Sequence, residues 1–228
     1  MLILFDIDMT LLRTNGTGRV AMAAAGESLF GHSFSIDAVD FAGRLDPLIL
    51  TDLLTRNGEP ADADTLGRMK RAYIDAFIEH SAGKIEPLAG AVELVRIIAD
   101  HPIATAGVLT GNYQETGVHK LRSIGIDPGS FRIAAWGDDS PHDPPAREHL
   151  PPVAIGRFRE VFDADPAETL ILGDTVHDVA CGLAHGCRVL GVATGRTDAK
   201  TLVAAGAHRV VDDLADTADI AGWLLGSG

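Results

Sequence analysis

The chain has 228 residues, with 32 Asp and Glu against 19 Lys and Arg, a formal net charge of −13. Hydrophobic residues are 46% and charged residues 22%, a balance that excludes wholesale disorder and suits one α/β domain or a compact domain carrying a small insert. The acidity excludes general nucleic-acid binding, which needs a basic face, and disfavours anionic lipid surfaces.

Residues 2–5 form a short apolar run that ends in Asp6-Ile7-Asp8. Its brevity and lack of alternation predict a strand buried on both faces, as in a parallel sheet. From Thr14 to Gly83 no strand pattern follows. Residues 19–30, 46–56 and 63–80 carry apolar side chains at three- and four-residue spacing, which predicts helices. Gly16 and Gly18 precede this block, and Ala82-Gly83 close it before Pro87. We expect a separate helical domain over 14–84, inserted with glycine hinges into a core made of 1–13 and 85–228.

Strand and helix patterns then alternate. Apolar runs at 103–109, 131–136, 169–172, 188–193 and 208–211 lead into Thr110-Gly111-Asn112, Gly137-Asp138-Asp139, Gly173-Asp174-Thr175, Thr194-Gly195 and Asp212-Asp213. Helical patterns occupy 89–99, 114–123, 150–162 and 176–185. This alternation predicts an α/β fold with a doubly wound parallel sheet.

Cys181 and Cys187 form no CxxC pair, so neither a disulfide framework nor a zinc site is expected, and both read as ordinary residues of a reducing cytosol. The apolar start is cut off by Asp6 and Asp8, well short of a signal-peptide core. No stretch of about 18 uncharged apolar residues offers a membrane span. A cytoplasmic location is the expectation.

Ligands of open α/β sheets bind at the carboxyl ends of the strands. Here those ends carry Asp6 and Asp8, Thr110-Gly111-Asn112, Asp138-Asp139, and Asp174 with Asp178. Several carboxylates at one sheet edge repel each other unless a cation joins them. All-oxygen ligands suit Mg²⁺. A carboxylate beside that ion can attack phosphorus, and a second one two residues on can protonate the leaving oxygen.

Asp6-Ile7-Asp8-Met9-Thr10 resembles the DxDxT motif of the haloacid dehalogenase (HAD) superfamily. Leu109-Thr110-Gly111-Asn112 resembles its second motif, and Gly173-Asp174-Thr175-Val176-His177-Asp178 its GDxxxD motif. The order and spacing match over most of the core. The resemblance implies that Asp6 is the nucleophile and a Mg²⁺ ligand. It implies that Asp8 is the general acid/base, offering its backbone carbonyl to the metal, and that Thr10 orients the loop. Thr110, with the N–H groups of Gly111 and Asn112, would hold a phosphoryl oxygen. Asp174 would bind Mg²⁺ directly, and Asp178 directly or through water. Without such a site, Asp178 would read as a first-turn carboxylate favoured by the helix dipole, and Thr110 as a helix cap.

Two departures stand out. The family usually places a Lys between the second and fourth motifs, but Lys70, Lys84, Lys120 and Lys200 all lie outside that stretch. Arg147 is the best substitute, resembling a phosphoglycolate-phosphatase-like subgroup that uses Arg there. Its fork keeps the charge role. Arg157 and Arg159 fall deeper in the helix. Met9 stands where many relatives have Gly and reads as apolar packing.

The helical insert matches a C1-type cap, which closes over the site and sets substrate choice. Phe41-Ala42-Gly43-Arg44-Leu45-Asp46 resembles a cap segment of the same subgroup. Arg44 either reaches a substrate carboxylate or phosphate, or pairs with Asp46 or water. His32, His80, His101 and His119 read as surface residues, and His142 and His149 are given no role.

The resemblance implies a Mg²⁺-dependent phosphatase acting on a small phosphorylated metabolite. A β-phosphoglucomutase-type phosphomutase is the alternative. A haloacid dehalogenase would lack Asp8, and a phosphonatase would need a cap Lys in a matching context. A non-catalytic module on this scaffold should have lost a site carboxylate, and all four are present.

Overall fold

At the centre of the sheet lies β1 (Leu2–Phe5), whose four side chains are fully buried. Burying each such side chain is worth roughly 1.5–3 kcal/mol. Side chains alternate across a strand, so the two faces of β1 serve two cores. Ile3 and Phe5 join Leu94, Val95 and Ile98, whereas Leu2 and Leu4 join Leu150, Ala154 and Phe158. Burial on both faces explains the uninterrupted apolar run. The computed structural model describes residues 1–226.

The sheet has six parallel strands in the order β5-β4-β1-β6-β7-β8. These are β4 (Thr105–Leu109), β5 (Ile133–Ala135), β6 (Thr169–Gly173), β7 (Arg188–Val192) and β8 (Arg209–Val211). The chain moves one way from β1 to β4 and the other way to β6, so a crevice opens at the carboxyl end of β1. The expected α/β parallel architecture is thus the one observed.

Helices α1 (Thr17–Phe30), α2 (Asp46–Arg56) and α3 (Ala63–His80) follow β1. Their buried residues Met22, Ala25, Leu50, Met69, Tyr73 and Phe77 belong to the same apolar cluster as Ile3 and Phe5. The remaining helices are α4 (Ala91–Ala99), α5 (Gln114–Ser123), α6 (Leu150–Phe162), α7 (Val176–Ala184), α8 (Ala199–Ala204) and α9 (Thr217–Leu224). No helix among the described residues is long and apolar enough to cross a membrane.

Several local expectations are corrected. β2 (Leu12–Arg13) and β3 (Glu86–Pro87) form a two-residue antiparallel ribbon where the chain enters and leaves the helical block. Two residues are too few to carry a period. Helices α8 and α9 likewise lie outside the predicted elements. Each opens on an Asp whose side chain accepts a backbone N–H, Asp198 from Thr201 and Asp216 from Asp219. The run at 103–109 starts its strand only at Thr105, the residue paired with Leu2, and leaves Ile103 exposed. Of the four histidines expected at the surface, only His32 is exposed, the other three are half-buried, and His119 packs edge-on against Phe77.

Candidate active site

β1, β4 and β6 end side by side, and their first residues beyond the sheet converge. Asp6, Asp174 and Asp178 each offer a carboxylate oxygen, and these oxygens all lie within 4.8 Å of one another. All three residues are buried. Asp178 reaches the group through local helix chemistry. It sits at the third position of α7 and forms a capping box with Thr175, whose backbone N and Oγ1 donate to Asp178 Oδ2 at 3.0 and 2.7 Å. Its expected alternative as a first-turn carboxylate therefore also describes it. Oδ2 serves the helix and Oδ1 faces Arg147.

Glycine makes the cluster possible. A Cβ on Gly173 would collide with the Asp178 carboxyl, and a Cβ on Gly195 would collide with Asp174 Oδ2.

Arg147 lies in a 3₁₀ turn (Arg147–His149) just before α6 and is buried. Its Nη2 donates to Asp6 Oδ1 at 3.0 Å and to Asp178 Oδ1. Nη1 reaches Gly43 O at 3.4 Å. Arg157 and Arg159 instead pair with Asp139 and Asp165. Asp139 also accepts the Trp136 N–H, and exposed Asp138 pairs with Lys70 at 2.7 Å, so neither joins the carboxylate cluster.

The electrostatics follow from burial. Asp174 is pushed up to about 9, first by loss of water and then by Asp178 and Asp6. Asp6 is pushed up to about 7 by burial, with Arg147 pulling down and Asp178 and Asp8 pushing up. Burial works against the Arg147 cation, but Asp178 and Asp6 outweigh it and raise its pKa. Three carboxylates against one guanidinium leave a formal charge of −2, which one divalent cation would neutralise. Hard oxygen donors in this number fit a small hard cation with water completing the shell. Asp6, Asp174 and Asp178 are the residues that could hold it.

Beside the cluster, Asp8 is partly exposed and takes two donors on one oxygen. Asn112 Nδ2 lies 2.7 Å and Lys120 Nζ 2.6 Å from Asp8 Oδ2. Asn112 Nδ2 also donates to Thr110 Oγ1 at 2.9 Å. Thr10 is fully buried, and its Oγ1 has no hydrogen-bond partner among the described residues. Met9 sits at φ 58°, in the left-handed region that glycine adopts freely. Its N–H donates to Leu12 O at 2.7 Å and its carbonyl accepts from Thr194 Oγ1. The position is thus a backbone turn, and Met9 lines the cavity described below and belongs to none of the apolar clusters among the described residues.

The helical block touches this edge at several points. Asp46 N donates to Gly111 O at 2.7 Å, and Tyr113 N donates to Asp46 Oδ2 at 3.1 Å. A Cβ on Gly111 would strike Arg44 O, so the approach requires glycine there. Arg44 pairs with Asp52 at 2.6 Å, not with Asp46. Between block and sheet edge lies a cavity of about 330 Å³, lined by Asp6, Asp8, Arg44, Asn112, Arg147 and Asp174 among others. Arg19, stacked over Phe41 at 4.5 Å, and Arg196 also line it. The sequence reading missed Arg19, Asp46, Lys120 and Arg196. Lys120 had a signal: it shares a helical face with Thr116, Gly117 and Leu121, which are all buried.

Residues 150–217 match the family model described as HAD-hydrolase-like. The chain is 26% identical over 224 residues to a phosphoglycolate phosphatase of Vibrio vulnificus, covering 96% of this chain and 95% of that one. It is 23% identical over 192 residues to pyrophosphatase PpaX of Bacillus pumilus, covering 84% and 82%. The crystal structure of CbbY from Rhodobacter sphaeroides, in complex with xylulose-(1,5)bisphosphate, superposes with a TM-score of 0.75. It is 20% identical and covers 94% of this chain and 95% of that one.

Proposed function

Since the chain belongs to the HAD-like hydrolases and is a phosphatase of the phosphoglycolate-phosphatase-like kind, we propose that it hydrolyses a small phosphorylated metabolite with Mg²⁺, through an aspartyl phosphate on Asp6. The observation that carries this reading is the buried trio Asp6, Asp174 and Asp178, with Arg147 bridging Asp6 and Asp178, beside a cavity that Asp6, Arg147 and Asp174 line.

Asp6 attacks phosphorus, forming a P–O bond to its carboxylate as the bond to the leaving oxygen breaks. Asp8 gives that oxygen its proton, then takes a proton from the water that cleaves the acyl phosphate. Thr110 and the backbone N–H groups of Gly111 and Asn112 hold a phosphoryl oxygen. Thr10 orients the loop between Asp8 and β2. Arg147 stabilises charge on Asp6 and on the transferring group, filling the place of the usual Lys. Asp6, Asp174, Asp178 and the Asp8 carbonyl would hold Mg²⁺, which supplies the positive charge that lets a phosphate dianion approach a carboxylate. Residues 14–84 act as the cap over the 1–13 and 85–228 core, excluding water and presenting Arg44 to the rest of the substrate.

Hydrolysis of p-nitrophenyl phosphate with and without Mg²⁺ tests the reading. Turnover that needs the ion supports it, and an absence of Mg²⁺-dependent turnover by folded protein overturns it. A panel including phosphoglycolate, sugar phosphates and inorganic pyrophosphate then ranks substrates. A phosphomutase would instead return an isomerised sugar phosphate with little free phosphate.

A further inference from the structure

Lys120 is a buried cation that none of these roles uses. It projects from the last turn of α5 and is 5% exposed. Its Nζ donates to Asp8 Oδ2 at 2.6 Å and to Asn112 Oδ1, with the Phe77 ring of α3 5.2 Å away. Asn112 closes the triangle through its own 2.7 Å bond to the same Asp8 oxygen. Asp8 Oδ2 thus has two donors, while Oδ1 has none among the described residues. A buried ammonium with such partners is costly to misplace, so the arrangement fixes the carboxyl rotamer.

We propose that Lys120, with Asn112, is a positioning residue that clamps Oδ2 of Asp8 and leaves Oδ1 to exchange the proton with the leaving oxygen. The inference rests on the reading of Asp8 as the general acid. A Lys120 that merely held the fold, or that bound the phosphoryl group itself, would not act through proton transfer.

The leaving group separates these cases. p-Nitrophenolate departs without a proton, whereas an alkoxide needs one. The quantity compared is kcat/KM, which covers only the steps through phosphoryl transfer to Asp6 and not the later hydrolysis. Wild type, Asp8→Asn, Lys120→Met and Lys120→Arg are assayed with p-nitrophenyl phosphate and 2-phenylethyl phosphate, after melting curves establish which are folded. General acid catalysis is worth on the order of 10²–10⁴-fold.

Lys120→Met should therefore lose about 10²-fold or more on the alkyl ester and under about 10-fold on the aryl ester. Lys120→Arg should fall between it and wild type, and it carries the comparison if the Met variant is unfolded. Equal losses on both esters in the folded Lys120 variants, with Asp8→Asn still discriminating, overturn the clamp and leave the function standing. If Asp8→Asn itself fails to discriminate, the general-acid reading falls and the clamp falls with it.

Discussion

Replacing Asp46 by Asn should stabilise the protein in alkali and do less in acid. Asp46 opens α2, is buried, and accepts the Tyr113 N–H that starts α5. Burial raises its carboxyl from 3.8 to about 7, although Lys120 and the Tyr113 N–H pull it down. The folded state therefore keeps a proton that the unfolded chain releases between those two values. Stability falls as pH rises through this window, and the full penalty is present above it. A rise of about three units is worth roughly 4 kcal/mol, at about 1.4 kcal/mol per unit.

Asn has the shape of the protonated acid, accepts the same N–H and cannot ionise. Asp46→Asn should then gain up to about 4 kcal/mol at pH 8, of which about 2 kcal/mol accrues between pH 5.5 and 8. For a chain of this size each kcal/mol moves the midpoint by about 2–4 °C. Melting curves of both proteins at the two pH values, followed by far-UV circular dichroism, measure the difference. A gap that does not widen with pH would mean that Asp46 ionises alike in the folded and unfolded states. A variant less stable than wild type at pH 8 would mean that attraction to Lys120 outweighs burial.

Arg147→Met removes the one cation among the described residues that touches both Asp6 and Asp178, so in a chelator the variant should lose about 3–5 kcal/mol by thermal melting. Added Mg²⁺ should raise its midpoint more than that of wild type, and equal shifts would speak against a shared charge site. Gly195→Ala drives a Cβ into Asp174 Oδ2. Calorimetric titration with Mg²⁺ should show affinity at least about 10-fold weaker, the scale at which disturbed ligand support is felt, and unchanged affinity would remove Asp174 from the ligand set.

The sheet was legible because strands buried on both faces need uninterrupted apolar runs, and Leu2–Phe5 and Thr169–Gly173 have them. The acid-tipped strand ends were legible because charge directly after such a run has few structural uses. Arg147 could be singled out because no Lys occupies its stretch, yet its bridge between Asp6 and Asp178 is visible only in space. Lys120 was hidden by its position, since a basic residue in a last helical turn usually just complements the helix dipole. Arg44 could have chosen among several acids, and packing gave it Asp52, eight residues on. Gly195 and Gly111 matter through what a side chain would strike, and that depends on elements far away in sequence.

In the proposed mechanism Asp6 carries the phosphoryl group in turnover that depends on Mg²⁺. Acid-quenched reaction mixtures, digested and mapped by mass spectrometry, test it most directly. A phosphorylated peptide at Asp6 is expected during Mg²⁺-supported turnover, absent with chelator and absent in a folded Asp6→Asn variant that has lost activity. Turnover that persists in chelator, or near-wild-type activity in Asp6→Asn, would contradict this mechanism.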